Sequence, residues 1–278
     1  MTFGTFDAPR RRWPVILSTV GLHAGVLLSL IPGTFSWGAV GAAALLYYIT
    51  IGLGIALGFH RLASHRSLRL PKWLEYSLIL CGTLAAQGGV IGWVGYHRLH
   101  HRHTDQRLDP HDSTQGFWWS HISWLMHEVP STKEMTPQIR DIVDDPFYRF
   151  CHRHYVALQL GLAVLLYALG GLSFVVWGIF VRLFIGFHST CCVNSVCHMF
   201  GYRSHEVPDR STNCWWVALL TFGEGWHNNH HAYQASAQTG TRWWEIDLTW
   251  QTVRLLRVLG WATHVKTSKV TRKSCHLT

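Results

Sequence analysis

The chain has 278 residues, 48% of them hydrophobic and only 14% charged, with 15 Trp and 24 Lys and Arg against 15 Asp and Glu for a net charge of +9. With a mean hydropathy of +0.10, this composition excludes an ordinary soluble domain and reads as an integral membrane protein with no nucleic-acid partner. Seven Cys without a CxxC pair exclude a disulfide framework and a thiolate zinc or redox site.

Arg10, Arg11 and Arg12 precede the first apolar stretch, Val15 to Ile31, a span expected over about 14–31. It lacks the small-residue cleavage site of a signal peptide and is expected to stay in the mature chain. A second span is expected over 39–59, followed by Arg61, Arg66, Arg69 and Lys72, whereas the connection 31–38 carries no charge. The positive-inside rule therefore places both termini on the cytoplasmic side. Segment 73–94 is softer, with Gly82, Gln87, Gly88, Gly89 and Gly92 within it. It is expected to re-enter the membrane or lie at its interface, where such residues are tolerated better than in a full span. Spans over 155–170 and 172–197 are expected to form a hairpin turning at the uncharged Gly170-Gly171. Most of these stretches approach the ~20 residues needed to cross ~30 Å of hydrocarbon. The expected fold is a single all-α membrane domain, 1–278, with four transmembrane helices and a cytoplasmic helical cap made of 60–72, 95–154 and 198–278.

The 20 His are grouped. His60 and His65 bracket HRLASH; His97, His100 and His101 form HRLHH; His227, His230 and His231 form HNNHH. On an α-helix, positions i, i+3 and i+4 share a face, so each HxxHH set is expected to aim three imidazoles at a common point. His60 and His65 lie about 140° apart on an α-helix, so the helix is expected to end between them. Asn194 and His198, spaced i, i+4 in NSVCH at the end of the last span, add two polar groups that are costly there unless they bind something. Isolated histidines such as His23, His121 and His188 read as hydrogen-bonded or surface residues. His103 and His111 flank the second group and read as supporting residues.

Nine His are too many for one ion and suit two, each with a position open to a substrate. Imidazole suits zinc, copper, iron and nickel alike; redox metals that bind oxygen come first, and iron before copper. A metal transporter would need ligands along a path inside the spans, whereas these gather at span ends and in the cap.

The spacing HX4H, HX2HH and HX2HH, with WVGYHRLHHRHTD at 93–105, DPHD at 109–112, GFWWSH at 116–121, NSVCH at 194–198, GEGWHNNHHAY at 223–233 and TRWWEIDLTW at 241–250, resembles the membrane-bound fatty-acyl desaturases. The similarity runs from about Leu53 to Lys266 and is nearest the Δ9 branch, especially its short cyanobacterial and plant acyl-lipid members. The resemblance implies two Fe2+ ions held by His60, His65, His97, His100, His101, His198, His227, His230 and His231, with Asn194 acting through water and no other catalytic residue. It implies dioxygen as co-substrate and a cis double bond placed at the Δ9 position of an acyl lipid, with an 18-carbon chain preferred. The alternatives are an acyl-CoA substrate or a related di-iron hydroxylase. Trp93 aligns with a position that helps bend the acyl chain, and Trp118, Trp119 and Trp226 are further candidate tunnel linings. No haem-binding HPGG is present, so electrons are expected from a separate protein. The cationic residues Arg149, Arg153, Arg203, Arg210, Arg242, Arg254 and Arg257 favour an acidic carrier, ferredoxin before cytochrome b5. The expected location is a plasma or thylakoid membrane if the source is cyanobacterial, with the metal site on the cytoplasmic face.

Overall fold

A computed structural model describes residues 10–128 and 132–268, so the ends of the expected 1–278 domain lie outside the described residues. Within them the chain is helical, and isolated bridges such as Arg69 with Thr263 take the place of strands. The first helix, α1 (Trp13–Val26), continues as a tighter turn to Leu30. The second, α2 (Trp37–Tyr47), is capped by the Ser36 hydroxyl and runs on as a π-helix through Ser64. There follow α3 (Lys72–Thr83), α4 (Val90–His103), α5 (Phe117–His121), α6 (Thr132–Ile139) and α7 (Pro146–Val175). A π-helical link, Val176–Val181, leads into α8 (Arg182–Ser195) and a short turn to His198. The C-terminal part carries α9 (Trp215–Leu220), α10 (His227–Ala232) and α11 (Leu248–Val258).

Three stretches among the described residues are long and apolar enough to cross a membrane: Trp13–Leu30, Trp37–Ser64 and Pro146–His198. The expectation of four spans thus meets three continuous helices. The third, at 53 residues, is nearly 80 Å long if straight and is not straight. Gly170 and Gly171 leave the helical conformation, Gly171 with φ +65. A Cβ on Gly178 would lie 2.8 Å from Leu166 Cδ1, although these residues would stand about 18 Å apart along a straight helix. The chain therefore folds back on itself at the two glycines, where only a residue without a side chain adopts that φ at no cost.

Segment 73–94 is two helices with a break at 84–89, and neither α3 nor α4 has the length of a span. Close backbone contact locks α3 to α2: a Cβ on Gly54 would sit 2.3 Å from the Gly82 nitrogen, and one on Gly58 would sit 2.9 Å from the Leu78 oxygen. Small residues at such crossings let helices approach within van der Waals range. Arg182, buried in the hairpin, donates to Thr50 Oγ1 and to the Leu84 carbonyl, each at 3.0 Å. It thereby satisfies a carbonyl at the C-terminal end of α3. The main core, Ile51, Ile55, Phe59, Ile79, Val90 and Val94 among others, lies at this α2–α3–α4 junction and sets the position of the histidines on α4.

Candidate metal centre

The nine histidines of the three groups and of His198 fall into two clusters. His60, His65, His97, His101 and His230 form one, and His100, His198, His227 and His231 the other; within each, one nitrogen from every ring lies within 4.8 Å of those of the others. Asn194 and His227 line one cavity beside them. The expectation that each HxxHH set aims at one point is overturned. On α4, His97 and His101 turn to the first cluster and His100 to the second; on α10, His230 turns to the first and His227 and His231 to the second. An i, i+4 pair stays together while the i+3 residue, offset around the helix, serves the neighbouring cluster. Each helix thus contributes to both clusters.

The meeting of His60 and His65 has a cause that α-helical geometry conceals. The helix does end between them, at Ser64, but its last turns are π-helical, and π-helices bond i to i+5. His65 N–H donates to the His60 carbonyl at 3.1 Å, and the two rings stand 4.8 Å apart.

The Nε2 atoms converge: His65 with His97 at 2.7 Å, His230 with His60 at 3.0 Å and with His101 at 2.9 Å, and His227 with His198 at 3.1 Å and with His231 at 3.0 Å. The opposite nitrogens of four rings meet carboxylates. His100 Nδ1 faces Asp109 at 2.9 Å, His198 Nδ1 faces Asp105 at 3.2 Å, His231 Nδ1 faces Asp209 at 2.9 Å, and His60 Nδ1 is in short contact with Glu224. A carboxylate on Nδ1 fixes the tautomer that leaves the Nε2 lone pair free and aims it inward, as histidines that bind metals are held. This arrangement fits cations better than protons. Burial first, and neighbouring imidazoles second, hold His65, His97, His100, His101, His227 and His230 well below the usual histidine range. The rings are therefore neutral near pH 7 and available as donors. Asp105 and Asp209 lie below the carboxylate range, burial being outweighed by their histidine partners and by hydrogen bonds from Ser113 and Ser211.

Those four carboxylates escaped the sequence reading, as did Arg61. Its guanidinium donates to Glu224 Oε1 from Nε at 3.1 Å and from Nη2 at 2.8 Å, and to Asp247 Oδ1 at 2.9 Å and Oδ2 at 3.1 Å. The remaining contacts are the Ala237 carbonyl at 2.6 Å and Thr239 Oγ1 at 3.2 Å. The signal available in the sequence was adjacency: HTD, DPHD and GEGW place acids beside the histidine groups. His111, expected to support the second group, lies over the His100 ring at 4.2 Å and is pushed down to about 3, first by burial. The isolated His23, His188 and His121 form a hydrogen-bonded chain with links of 3.0 Å, ending on Ser195 Oγ at 2.9 Å.

A narrow apolar cavity opens beside the clusters. Its walls include Ile51, Ile55, Ala56, Trp93 and Val193, and it reaches His60, His97, His100 and His227. Trp93 stacks on His97 with ring centres 5.1 Å apart. Gln87 donates to Thr190 Oγ1 at 2.8 Å, bridging the α3–α4 connection to α8 where Thr190 lines the cavity. The other three tryptophans named as linings stand elsewhere. Trp118 is 70% exposed, Trp119 stacks on His127, and Trp226 is buried with its indole N–H on the Ile246 carbonyl at 2.9 Å.

The depressed histidines predict how the metal-free chain responds to acid. An unfolded histidine takes up its proton near 6.5, whereas the buried ones do so only at much lower pH. Between those values the unfolded state binds more protons, so stability is complete above about pH 6.5 and falls as pH drops below it. Thermal melts of chelator-treated protein across that range should show a constant Tm that then declines; a Tm independent of pH would show that the clusters are not buried and neutral.

The fatty acid desaturase family model matches residues 35–263. The chain is 58% identical over 266 residues to the sn-1 stearoyl-lipid 9-desaturase of Anabaena variabilis, covering 96% of this chain and 98% of that protein. It is 58% identical over 254 residues to the protein of the same name from Synechocystis sp., covering 91% and 80%. To the chloroplastic palmitoyl-monogalactosyldiacylglycerol delta-7 desaturase of Arabidopsis thaliana it is 48% identical over 243 residues, covering 86% and 66%. A match over that length, together with two histidine clusters that gather beside the ends of apolar helices, identifies the chain as a member of the fatty acid desaturase family, a family of oxidoreductases.

Proposed function

We propose that this protein is an acyl-lipid desaturase that uses dioxygen and two external electrons to insert a cis double bond at carbon 9 of a stearoyl chain carried on a glycerolipid. The observation that carries the reading is the pair of histidine clusters set against a narrow apolar cavity. The names of the two cyanobacterial relatives, which specify a stearoyl lipid and carbon 9, supply the substrate and the position. In this reading His60, His65, His97, His101 and His230 would hold one iron, and His100, His198, His227 and His231 the other, with Asn194, on the wall of the adjoining cavity, acting through water. The two irons supply the oxidant, because an unactivated methylene offers neither an acidic proton nor a leaving group.

The chain's own residues provide position and dryness. Asp105, Asp109, Asp209 and Glu224 hold the imidazole donors in one orientation. Ile51, Ile55, Ala56 and Val193 exclude water and accept the acyl chain. Trp93, braced against His97, and the Gln87–Thr190 bridge shape the wall where the chain passes the histidines, which fixes the carbon presented. The hairpin at Gly170-Gly171 divides the longest apolar helix into two spans, so that four cross the membrane. Both termini and the histidines then lie on the cytoplasmic side, where Arg and Lys concentrate. A separate acidic carrier, ferredoxin, delivers the electrons.

Expression in a host of known lipid composition, followed by mass spectrometry of derivatised double bonds, tests the reading. A new cis-monoene at carbon 9 in one lipid class is expected. A double bond only at carbon 7 would transfer the position of the Arabidopsis relative, and hydroxylated chains would refute desaturation.

A further inference from the structure

Residues 198 to 268 hold two helices that expose apolar side chains, α9 over its whole outer face and α11 along one stripe beside the exposed Gln251, Arg254 and Arg257. In α11 and at its C-cap, Leu248, Thr252, Leu255 and Leu259 fall on one stripe with spacing i, i+4, i+7 and i+11. Leu248, Leu255 and Leu259 are exposed, and Val258 beside them is 84% exposed. Val253 and Leu256 pack inward with Leu57, Leu62 and Leu78. Arg254 and Arg257 lie on the side away from the stripe and are exposed. In α9, Val217 and Ala218 pack inward, whereas Trp215, Trp216, Leu219 and Leu220 face outward. A soluble cap would not leave so much contiguous apolar surface open to water.

The depth of these helices follows from what they touch on α2. Thr252 Oγ1 lies 3.3 Å from the Tyr48 hydroxyl, and the Tyr47 hydroxyl donates to the Leu220 carbonyl at 2.8 Å. The helix from Trp37 to Ser64 is about 40 Å long, and its first ~20 residues suffice to fill the hydrocarbon layer. Tyr47 and Tyr48 therefore lie within that layer, roughly 20 Å from the end of the helix that carries His60. A helix resting on them with an apolar face turned outward meets acyl chains, not water. Trp73 and Trp261, both exposed and edge to face at 5.3 Å, add the paired aromatics found at a membrane interface.

We propose that α9 and α11 form a skirt embedded in the leaflet nearest the histidines, and that the partner of this surface is the lipid bilayer itself. Acyl chains cover the stripe of α11 and the outer face of α9, and the long stems of Arg254 and Arg257 lie along that surface and carry their guanidinium groups toward the headgroup phosphates. The two helices rest on Tyr47 and Tyr48 of the spanning helix, which also exposes Leu45 at 60%, and this is why lipid, not a second copy of the chain, is taken as the occupant. Part of the segment first assigned to the cytoplasmic cap thus belongs to the membrane. Thr221, the residue after α9, lines the cavity, so lipid reaches within one residue of the cavity wall.

The test uses the intact chain, one copy per nanodisc, in phosphatidylcholine carrying a diazirine on its acyl chain. After photolysis, peptide mass spectrometry maps the lipid adducts. Adducts on 215–220 and 248–259, at yields comparable with those on the exposed Leu160 to Leu169 face of α7, are expected. Adducts on α7 with none on α9 and α11 would overturn the proposal. Labelling of Leu255 and Leu259 by water-borne hydroxyl radicals would also overturn it, as would protection from both reagents, which would mean that protein covers the face.

Discussion

Replacing His230 with alanine is expected to abolish turnover and, in the two-iron reading proposed above, to lower bound iron from two ions per chain to one or fewer. His230 Nε2 lies 3.0 Å from that of His60 and 2.9 Å from that of His101, and its ring is 4.6 Å from that of His65. It is the member of the five-histidine cluster that comes from the C-terminal part of the chain, so its loss detaches α10 from α2 and α4 at that cluster. Because metal affinity and local folding share one free energy, the loss should extend beyond one donor. The checks are metal analysis of the purified protein, the lipid product assay and far-ultraviolet circular dichroism. Loss of iron and product with the helical signal retained supports the assignment; wild-type iron content in the variant would remove His230 from the centre.

Arg61→Met is expected to produce the largest loss of stability. Arg61 is 1% exposed and lies between the buried carboxylates of Glu224 and Asp247. Removing one partner of a buried charge network strands the others, at a cost of about 3–5 kcal/mol. Glu224, no longer held, would also release His60, so iron loading should fall with stability. Adding Asp247→Asn removes one uncompensated charge while keeping an oxygen at the start of α11, where Asp247 Oδ1 accepts from the Trp250 N–H at 2.8 Å, and separates the two effects: the double variant should regain part of the lost Tm without regaining iron. A single variant that melts with the wild type would show that the network is not needed for stability.

The two assignments differ in how far they were legible beforehand. His97, His100 and His101 could be picked out because α-helical spacing brings i, i+3 and i+4 to one side. Spacing alone does not say which of two adjacent points each ring serves, and the division of each triplet between clusters comes from packing of α4 against α2 and α10. HX4H was legible as a pair but not as geometry, because the π turn that joins His60 to His65 follows from tertiary context. The turn at Gly170-Gly171 was legible, since two uncharged glycines between apolar stretches leave little else for the chain to do. Asp209 was not, because it reaches His231 from a loop whose course depends on the fold, and Glu224, although close to HNNHH in sequence, serves His60, a pairing that only the fold reveals. The same holds for Trp118, Trp119 and Trp226: composition marks them as aromatic, and only the path of the chain shows that Trp93 alone of the four lines the cavity.

The sharing of α4 and α10 between the clusters bears on how the protein matures. A six-residue helix such as α10 has little stability of its own, and its three imidazoles are ordered together or not at all. An ion captured by either cluster fixes the helix and spends once the ordering entropy that a second ion would otherwise meet. Uptake should therefore be positively cooperative, with the half-filled chain a minor species at every metal concentration. A cell short of the metal would then hold a mixture of empty and fully assembled molecules, and its desaturating capacity would follow the number of complete copies rather than fading evenly across all of them.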